Sequence, residues 1–326
     1  MTRFVPTHCV WETTLRCNLR CRHCGSRAGT RRGSELGTRE ALALIDDLAE
    51  LGCERVVLSG GEPLLREDLA GLIRRIHARG MKPCLISNGY ILSERIGALE
   101  SLPLHSVAVS LDGLEETHDG LRQDPRSFTQ ALRSLRLLSR LFIDVYAVTQ
   151  VNRLNYPDLE GLYALLCRLG IDGWQVQLTN DMGRAQDIAE LMLDRAQIER
   201  LLGFILAKEG GPLKIYPGDD IGYHHRGRFR FEGCRGGISV VGIEADGGVK
   251  PCLSMQKGAG FLGGNIRQRP LREIWHDPGF AAVNRKEQAL GGACAGCDHK
   301  RTCRGGCVGT AAAFDSLEEY PFCVRG

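Results

Sequence analysis

The chain has 326 residues, of which 43% are hydrophobic and 25% charged, so it can bury a full-sized core and needs no disulfide or metal ion in order to fold. No apolar run approaches the ~18 residues of a membrane span, and the N-terminus lacks the apolar stretch of a signal peptide. The formal charge of +3 gives little support to a nucleic-acid partner. We therefore expect a globular cytoplasmic protein with no nucleic-acid or membrane partner.

From residue 8 to about 216 the sequence repeats a short apolar run, a polar turn and an amphipathic helix. The predicted strands span residues 8–13, 54–59, 83–87, 105–110, 143–149 and 173–178. The predicted helices lie near residues 38–51, 66–79, 92–101, 127–140, 156–168 and 194–208. This alternation predicts an α/β fold with a parallel sheet, either doubly wound or curled into a partial barrel, whose carboxyl edge carries the functional loops.

The periodicity ends after residue 208, and the composition then turns to Gly and Cys. We expect a second domain to begin near residue 218, with a hairpin formed by residues 238–243 and 248–251. The linker before it carries paired acids, a tyrosine and two histidines, which either face the substrate as acid/base groups or are simply solvated. These residues are Asp219, Asp220, Tyr223, His224 and His225.

Fourteen cysteines in a chain without a secretion signal favour metal binding over disulfides. Ten of them fall into two groups, one near the start of the chain and one in its last third. The other four are scattered through apolar segments, as is typical of small buried side chains. These four are Cys9, Cys53, Cys84 and Cys167.

The first group places Cys17, Cys21 and Cys24 on one loop directly after the first predicted strand, in Cys-x3-Cys-x2-Cys spacing. Three thiols are one short of a structural zinc site unless His23 is the fourth ligand. A 4Fe–4S cluster held by three thiolates instead leaves one iron open to another ligand.

This spacing resembles the signature of the radical S-adenosylmethionine superfamily, with His23 in the place that an aromatic residue usually occupies. The resemblance implies that Cys17, Cys21 and Cys24 are the catalytic cluster ligands. It also implies that the open iron chelates S-adenosylmethionine, which one electron cleaves to methionine and a 5′-deoxyadenosyl radical. The protein then mainly positions the reacting groups.

A second motif, Ser59-Gly60-Gly61-Glu62-Pro63, follows the second predicted strand and resembles the Gly-Gly-Glu-Pro motif of that family. Two glycines let the backbone pass close to a ligand, and a carboxylate can accept hydrogen bonds from the ammonium group of the cofactor. The same residues taken alone would form an ordinary turn with a solvated glutamate. The resemblance assigns Gly60, Gly61, Glu62 and Pro63 to cofactor binding.

The ends of later strands add weaker matches, each of which is also compatible with simple turn chemistry. Similar family motifs line the cofactor ribose and the substrate cavity, so we expect Ser110 and Asn152 to contact the cofactor. Asp112 is expected on the substrate side or in a structural role. Arg184 lies in a Gly-Arg-Ala segment resembling that of the family, where it could pair with the cofactor carboxylate.

The last third reads Cys234-x12-Gly247-x4-Cys252, then Cys294-x2-Cys297-x5-Cys303-x3-Cys307 and finally Cys323. This pattern resembles the seven-cysteine SPASM domain, whereas a pair of zinc ribbons fits an odd count poorly. The resemblance implies an outer auxiliary cluster held by Cys294, Cys297, Cys303 and Cys323. It implies an inner one held by Cys234, Cys252 and Cys307, whose fourth ligand the sequence does not identify because residues 235–251 contain no cysteine.

Together the resemblances imply a partial (β/α)6 TIM-like barrel over residues 1–215 and a SPASM domain over residues 218–326. The implied cofactors are S-adenosylmethionine and three 4Fe–4S clusters, with flavodoxin or ferredoxin as electron donor. The expected reaction is abstraction of a hydrogen atom from an unactivated C–H bond of a peptide, leading to oxidation, cross-linking or epimerisation. Any one of the four scattered cysteines could then donate a hydrogen atom to the substrate radical. The alternatives are dehydrogenation or epimerisation of a sugar or aminocyclitol, and a non-catalytic iron–sulfur scaffold. Because the first strand starts by residue 8 and Cys323 lies near the end, we expect any leader-peptide recognition to come from a separate protein.

Overall fold

A computed structural model describes residues 4–31, 33–218, 221, 233–255, 261–282 and 290–323. The linker residues singled out above, from Asp219 to His225, lie outside the described residues. The described strands are β1 (His8–Glu12), β2 (Arg55–Ser59), β3 (Lys82–Ser87), β4 (Ser106–Ser110), β5 (Asp144–Val151), β6 (Gly173–Leu178), β7 (Ile215–Pro217), β8 (Val240–Ile243), β9 (Gly248–Lys250) and β10 (Gly264–Asn265).

The longer helices lie between these strands and cover the sheet. They are α1 (Thr38–Glu50), α2 (Leu69–Ala78), α3 (Leu92–Glu100), α4 (Glu115–Arg122), α5 (Ser127–Leu138), α6 (Leu159–Cys167) and α7 (Arg195–Ala207). Short helices follow in the cysteine-rich part: α8 (Leu271–Trp275), α9 (Pro278–Ala282), α10 (Gly292–Ala295), α11 (Lys300–Cys303) and α12 (Val308–Ala313). Within the described ranges, no helix combines the length and the apolar character needed to cross a bilayer.

The ten described strands form one sheet in the order β10-β9-β8-β1-β2-β3-β4-β5-β6-β7. Strands β1 to β7 run parallel and follow chain order, which is the arrangement of six βα units in a partial barrel. The six strands predicted from the sequence are confirmed with small changes at their ends. Their carboxyl ends therefore meet at one edge of the sheet.

The core packs the apolar faces of the helices against the sheet. Each of the amphipathic helices α1 and α2 directs four apolar side chains into this core. Trp11 on β1 and Trp174 on β6 are among the largest side chains that are fully buried there. Helix α2 starts at Leu69, three residues later than predicted, because Pro63–Leu65 form a separate 3-10 turn.

The cysteine-rich part contributes strands to the same sheet. Strand β8 pairs with β1 in parallel, and β8 and β9 form the predicted hairpin with Asp246 and Gly247 in its turn. Gly247 has φ of +87°, a conformation that glycine adopts without strain. The parallel pairing of β8 with β1 was not predicted, and it brings the turn between β8 and β9 to the carboxyl edge of the barrel.

Candidate active site

A cavity of about 310 Å³ opens at the carboxyl edge of the sheet. It is bounded by the loop after β1, by the ends of β2 to β6, and by Leu253 and Ser254 from the cysteine-rich part. The cysteines Cys17, Cys21 and Cys24 line it together with Ser59, Gly60, Gly61, Ser110, Asp112, Arg122 and Arg184. The structure therefore gathers most of the expected site residues around one space.

The loop that carries the three cysteines is held by its own backbone and by a buried acid. The N–H of Cys17 donates to the carbonyl of Gly29 at 2.9 Å, and the N–H of Gly29 donates to the carbonyl of Leu15 at 2.7 Å. The Glu35 carboxylate accepts from the N–H of Leu15 at 2.8 Å and from the hydroxyl of Thr14 at 2.9 Å. These contacts hold the loop in place at the end of β1.

The sulfur atoms of this loop accept hydrogen bonds. The N–H of Leu19 donates to Sγ of Cys17 at 3.5 Å, and Nδ2 of Asn88 donates to the same sulfur at 3.8 Å. Nη1 of Arg122 donates to Sγ of Cys21 at 3.7 Å. Burial raises the pKa of the Cys17 thiol to about 11, so iron must displace the proton when it binds.

Three thiols on one cavity wall, with donors directed at the sulfurs of two of them, fit an iron–sulfur cluster. The described residues contain no group of three His, Cys, Asp or Glu side chains close enough to hold a single metal ion. Cluster thiolates stand farther apart because each binds a different iron atom. His23 therefore does not complete a zinc site with these cysteines, and its Nε2 lies 3.0 Å from Oδ2 of Asp112.

Gly60 and Gly61 lie where the loop after β2 passes against the cysteine loop. A Cβ atom would stand 2.4 Å from the Thr14 carbonyl oxygen at Gly60, and 2.2 Å from the Arg16 carbonyl oxygen at Gly61. The N–H of Gly61 donates to the Thr14 carbonyl at 2.7 Å. Only glycine allows this close approach, and it leaves backbone facing the cavity, as a bound cofactor requires.

Glu62 differs from the expectation, because it is fully buried and is not among the described residues that line the cavity. Its carboxylate accepts hydrogen bonds from the N–H of Asn88 at 2.8 Å, the N–H of Leu64 at 3.1 Å and the hydroxyl of Ser87 at 3.0 Å. Burial raises its pKa to about 7, against the opposing effect of these donors. Its contacts join the loops after β2 and β3, and Pro63 is buried beside it at the start of the 3-10 turn.

Asp112 is the centre of a buried charged group in the cavity wall. Its carboxylate contacts Nε2 of His23 at 3.0 Å, Nε of Arg122 at 2.8 Å and, more closely still, Nη2 of Arg122. It also accepts from the N–H of Gln150 at 2.9 Å. Burial opposes its ionisation, but Arg122 and then His23 outweigh burial and hold its pKa well below the usual range.

Arg122 and His118 were missed in the sequence because α4 was not predicted. His118 accepts a hydrogen bond at Nδ1 from the N–H of Asp112 at 3.0 Å. Burial, followed by the nearby charge of Arg122, lowers the pKa of His118 to about 3. The sequence held two signals for this helix. Glu115 provides an acidic helix start, and His118 and Arg122 are four residues apart, a spacing that puts two side chains on one helix face.

Three weaker expectations have different outcomes. Ser110 lines the cavity. Asn152 is fully buried in the turn after β5, where Oδ1 accepts from the N–H groups of Leu154 and Asn155, and it is not among the described residues that line the cavity. The position of Asn152 is that of a turn former, and its contact with the cofactor stays a prediction. Arg184 lines the cavity, and its guanidinium donates to the carbonyls of Cys21 and Ala28 at 2.7 and 2.8 Å.

Three glutamines form a neutral wall that the sequence analysis did not single out. Gln150 on β5 is the register partner of Gln177 on β6, and Gln175 lies two residues earlier on the same face of β6. All three line the cavity, and none of their side-chain amides bonds to another described residue. We call Gln150, Gln175 and Gln177 the amide wall. The sequence does hold a signal for this wall, because Gln175 and Gln177 are two residues apart on one strand and therefore share a face of the sheet.

The four cysteines expected to hold an outer cluster lie near one another. Cys294, Cys297 and Cys323 are close enough to Cys303 to affect its ionisation. Burial is the largest effect and raises the pKa of Cys303 to about 11, and these neighbouring thiols add to it. The N–H of His299 donates to Sγ of Cys297 at 3.4 Å. The four thiols therefore form a compact group at the end of the chain.

The three cysteines expected to hold an inner cluster surround a separate apolar cluster. Cys234 packs with Met255 and Val308, and Cys252 contacts the same cluster. Cys307 directly precedes Val308 and caps the start of α12. Leu253 and Ser254, which follow Cys252, line the barrel cavity. This group therefore lies on the cavity side of the cysteine-rich part.

The four scattered cysteines lie outside the cavity wall. Cys9, Cys53 and Cys84 are buried, and Cys167 is half-buried at the end of α6. Burial raises the pKa of the first three thiols. None of the four is among the described residues that line the cavity, so their positions do not support a role as hydrogen donor there.

Family models match both parts of the chain. The model of the radical SAM superfamily matches residues 11–166, and the SPASM model, described as an iron–sulfur cluster-binding domain, matches residues 234–298. These ranges include Cys17, Cys21 and Cys24 in the first part and Cys234 and Cys252 in the second. The chain belongs to the radical SAM superfamily and carries a SPASM domain, and it is an enzyme of radical SAM chemistry that uses S-adenosylmethionine and iron–sulfur clusters.

Two enzymes resemble the chain over nearly its full length, and a solved structure shares its fold. The AdoMet-dependent heme synthase of Methanosarcina barkeri is 31% identical and covers 98% of this chain and 96% of its own. The mycofactocin maturase MftC of Mycolicibacterium smegmatis is 30% identical and covers 98% of this chain and 83% of its own. SuiB of Streptococcus suis, solved with its precursor peptide SuiA, shares the fold with a TM-score of 0.77 at 17% identity, over 97% of this chain and 75% of its own.

Proposed function

We propose that this enzyme abstracts a hydrogen atom from a residue of a peptide substrate bound against the amide wall. The observation that carries the proposal is a set of three amide side chains, Gln150, Gln175 and Gln177, which line the same cavity as the cysteine loop and bond to no other described residue. A primary amide both donates and accepts hydrogen bonds, as a peptide group does. A half-buried wall of this kind favours a ligand that supplies both partners.

The charges of the cavity support a neutral polar substrate. The two described arginines that line the cavity already have partners: Arg122 bonds to Asp112 and Cys21, and Arg184 bonds to two backbone carbonyls. His23 pairs with Asp112. Among the described lining residues, the polar side chains left for a substrate are therefore mainly amides and hydroxyls. The maturase relative and the peptide-bound SuiB structure agree with a peptide.

The residues have distinct roles in this proposal. Cys17, Cys21 and Cys24 hold the cluster, and the backbone of Gly60 and Gly61 borders the cofactor. When bound, that cluster supplies the electron that cleaves S-adenosylmethionine to the hydrogen-abstracting radical. Arg184 braces the cysteine loop, and Glu62 keeps the neighbouring loops in register.

The cysteine-rich part, residues 218–326 in our division of the chain, supplies two further 4Fe–4S clusters. Cys294, Cys297, Cys303 and Cys323 hold the outer one, and Cys234, Cys252 and Cys307 hold the inner one. Proximity of four thiols around Cys303 supports the outer assignment. Flavodoxin or ferredoxin supplies electrons, and a separate protein presents the leader of the peptide.

A second candidate is the modification of a tetrapyrrole. Identity of 31% to a heme synthase over 98% of this chain favours it. A carboxylate-bearing tetrapyrrole would require cationic partners, and those that the described residues place in the cavity wall are already engaged. We therefore rank the peptide first.

The test compares substrates under one set of conditions. Protein reconstituted anaerobically is mixed with dithionite and S-adenosylmethionine, and either with short peptides encoded beside its gene or with Fe-coproporphyrin III. The proposal expects 5′-deoxyadenosine together with a mass change in a peptide, and neither product from the variant with Cys17, Cys21 and Cys24 replaced by Ala. Turnover of the tetrapyrrole alone would overturn the peptide assignment, and turnover of a sugar or aminocyclitol alone would do the same.

A further inference from the structure

Arg122 is a buried cation in contact with one of the three cluster cysteines. Its side chain is 10% exposed, and Nη1 lies 3.7 Å from Sγ of Cys21. Nε donates to Oδ2 of Asp112 at 2.8 Å, and Nη2 contacts the same oxygen. The guanidinium thus spans a carboxylate on one side and a cysteine sulfur on the other.

The three cysteines are not equivalent in this respect. Cys17 accepts hydrogen bonds from two neutral donors, the backbone of Leu19 and the side chain of Asn88. Among the described residues, Arg122 is the charged side chain that donates to a sulfur of this loop. The charge sits in a buried environment, where electrostatic interactions are stronger than in water.

A guanidinium keeps its charge at any pH the protein tolerates, so its effect on the cluster is permanent. Reduction adds a negative charge, which a nearby cation and an N–H donor to sulfur both stabilise. Asp112 acts in the opposite direction, because its negative charge disfavours the reduced state. Asp112 makes no described contact with a sulfur, so Arg122 is the nearer of the two charges.

We infer that Arg122 raises the reduction potential of the cluster held by Cys17, Cys21 and Cys24, and that Asp112 limits this increase while it holds the guanidinium in place. The inference rests on the proposed placement of the cluster on these cysteines. It assigns to α4 the task of setting how readily the cluster accepts the electron that starts the reaction.

The test is a potentiometric titration of the full-length holoprotein followed by electron paramagnetic resonance. The signal that changes on adding S-adenosylmethionine identifies this cluster among the others. Arg122→Met should lower the reduction potential of this cluster by at least about 59 mV, which corresponds to a tenfold change in the one-electron equilibrium constant. Asp112→Asn should raise it, and Arg122→Lys should fall between Arg122→Met and the wild type.

Arg66→Met is the matched control. Arg66 also forms a partly buried pair with an aspartate, Asp68, and donates to the carbonyl of Thr13 beside the cysteine loop, but it makes no described contact with a sulfur. We expect it to leave the potential unchanged. A purely structural role for Arg122 would move the potential no more than this control does.

Opposite shifts from Arg122→Met and Asp112→Asn support the inference, and equal potentials in the wild type and Arg122→Met with full iron content overturn it. If Arg122→Met does not fold, an Asp112→Asn potential at or below that of the wild type overturns the inference instead. If no electron paramagnetic resonance signal of the wild type changes on adding S-adenosylmethionine, the proposed function is overturned and this inference with it.

Discussion

The carboxylate of Glu62 accepts a hydrogen bond of 2.8 Å from the backbone N–H of Asn88, and this contact links the loops that follow β2 and β3. Asn88 in turn reaches the cysteine loop, since its Nδ2 donates to Oδ1 of Asn18 at 2.8 Å and to Sγ of Cys17 at 3.8 Å. A buried acid therefore positions the residue that contacts the cluster loop. The Gly-Gly-Glu motif therefore connects neighbouring loops of the barrel, and its two glycines also border the cavity.

Glu62→Gln should reduce stability before it affects chemistry. The new NH2 group would face donors at Asn88 and Leu64, so the free energy of unfolding should fall by about 1–3 kcal/mol. Urea denaturation measures this change, and Ser87→Ala, which removes one donor, should cost less. Affinity for S-adenosylmethionine should fall along with stability. A lower affinity with unchanged stability would instead place the carboxylate on the cofactor, as the motif alone suggests.

The pH dependence of stability should also carry the signature of Glu62. Burial raises its pKa from 4.5 to about 7, so the folded protein binds this proton more tightly than the unfolded chain. The contribution of Glu62 therefore falls as pH rises from about 4.5 to 7, by at most about 1.4 kcal/mol per pH unit. The wild type should lose more stability than Glu62→Gln between pH 5.5 and 7. Parallel curves for the two proteins would contradict this.

Replacing Cys17, Cys21 and Cys24 by Ala should remove one cluster and leave the other two. Iron and sulfide should then fall from about twelve to about eight of each per chain. Formation of 5′-deoxyadenosine should stop. Single Ala variants of Cys9, Cys53, Cys84 and Cys167 are the matched controls, because none lines the cavity; loss of product in one of them would revive the idea of a thiol hydrogen donor. Zinc in place of iron, or four iron atoms in the wild type, would contradict the three-cluster assignment.

Cys234→Ala or Cys307→Ala should separate cofactor cleavage from product formation. In the proposed function these cysteines hold the inner cluster together with Cys252, and Leu253 and Ser254 next to Cys252 line the cavity. A cluster at this position would be able to receive an electron from the substrate radical. We expect 5′-deoxyadenosine to form while product is lost or diverted. Cys323→Ala, which affects the outer group, should disturb the product less. Full product yield from a folded protein without the inner cluster would rule out this role.

Gln177→Ala should weaken peptide binding through the amide wall. Loss of a hydrogen bond to a neutral partner costs about 0.5–1.5 kcal/mol, so KM should rise roughly 2- to 12-fold with iron content unchanged. The double variant with Gln150→Ala should be weaker still, because the two residues are register partners. The control is Gln268→Ala, at an exposed position outside the cavity. An unchanged KM in the double variant would argue against the wall as a peptide contact.

The parts of the fold predicted correctly are those that local pattern determines. Apolar runs located the six strands, and cysteine spacing located the cluster loop. Helix α4 was missed because its sequence, EETHDGLR, is strongly polar and buries only three side chains. The sequence suggested a cofactor contact for Glu62, yet its partners at Asn88 and Ser87 come from another strand. Such tertiary contacts leave no local pattern, and the same holds for the pairing of β8 with β1 across more than two hundred residues.

The pairing of β8 with β1 also determines what a shortened chain would do. A barrel cut off after residue 218 would lose β8 and leave β1, with the buried side chains of Cys9 and Trp11, at the border of the sheet. Unpaired backbone groups on an apolar edge strand are a template for association with another chain. The isolated barrel should therefore aggregate, even though all three cysteines of its own cluster motif are present. Loss of activity in such a fragment would then result from self-association and not from the absence of auxiliary electron transfer.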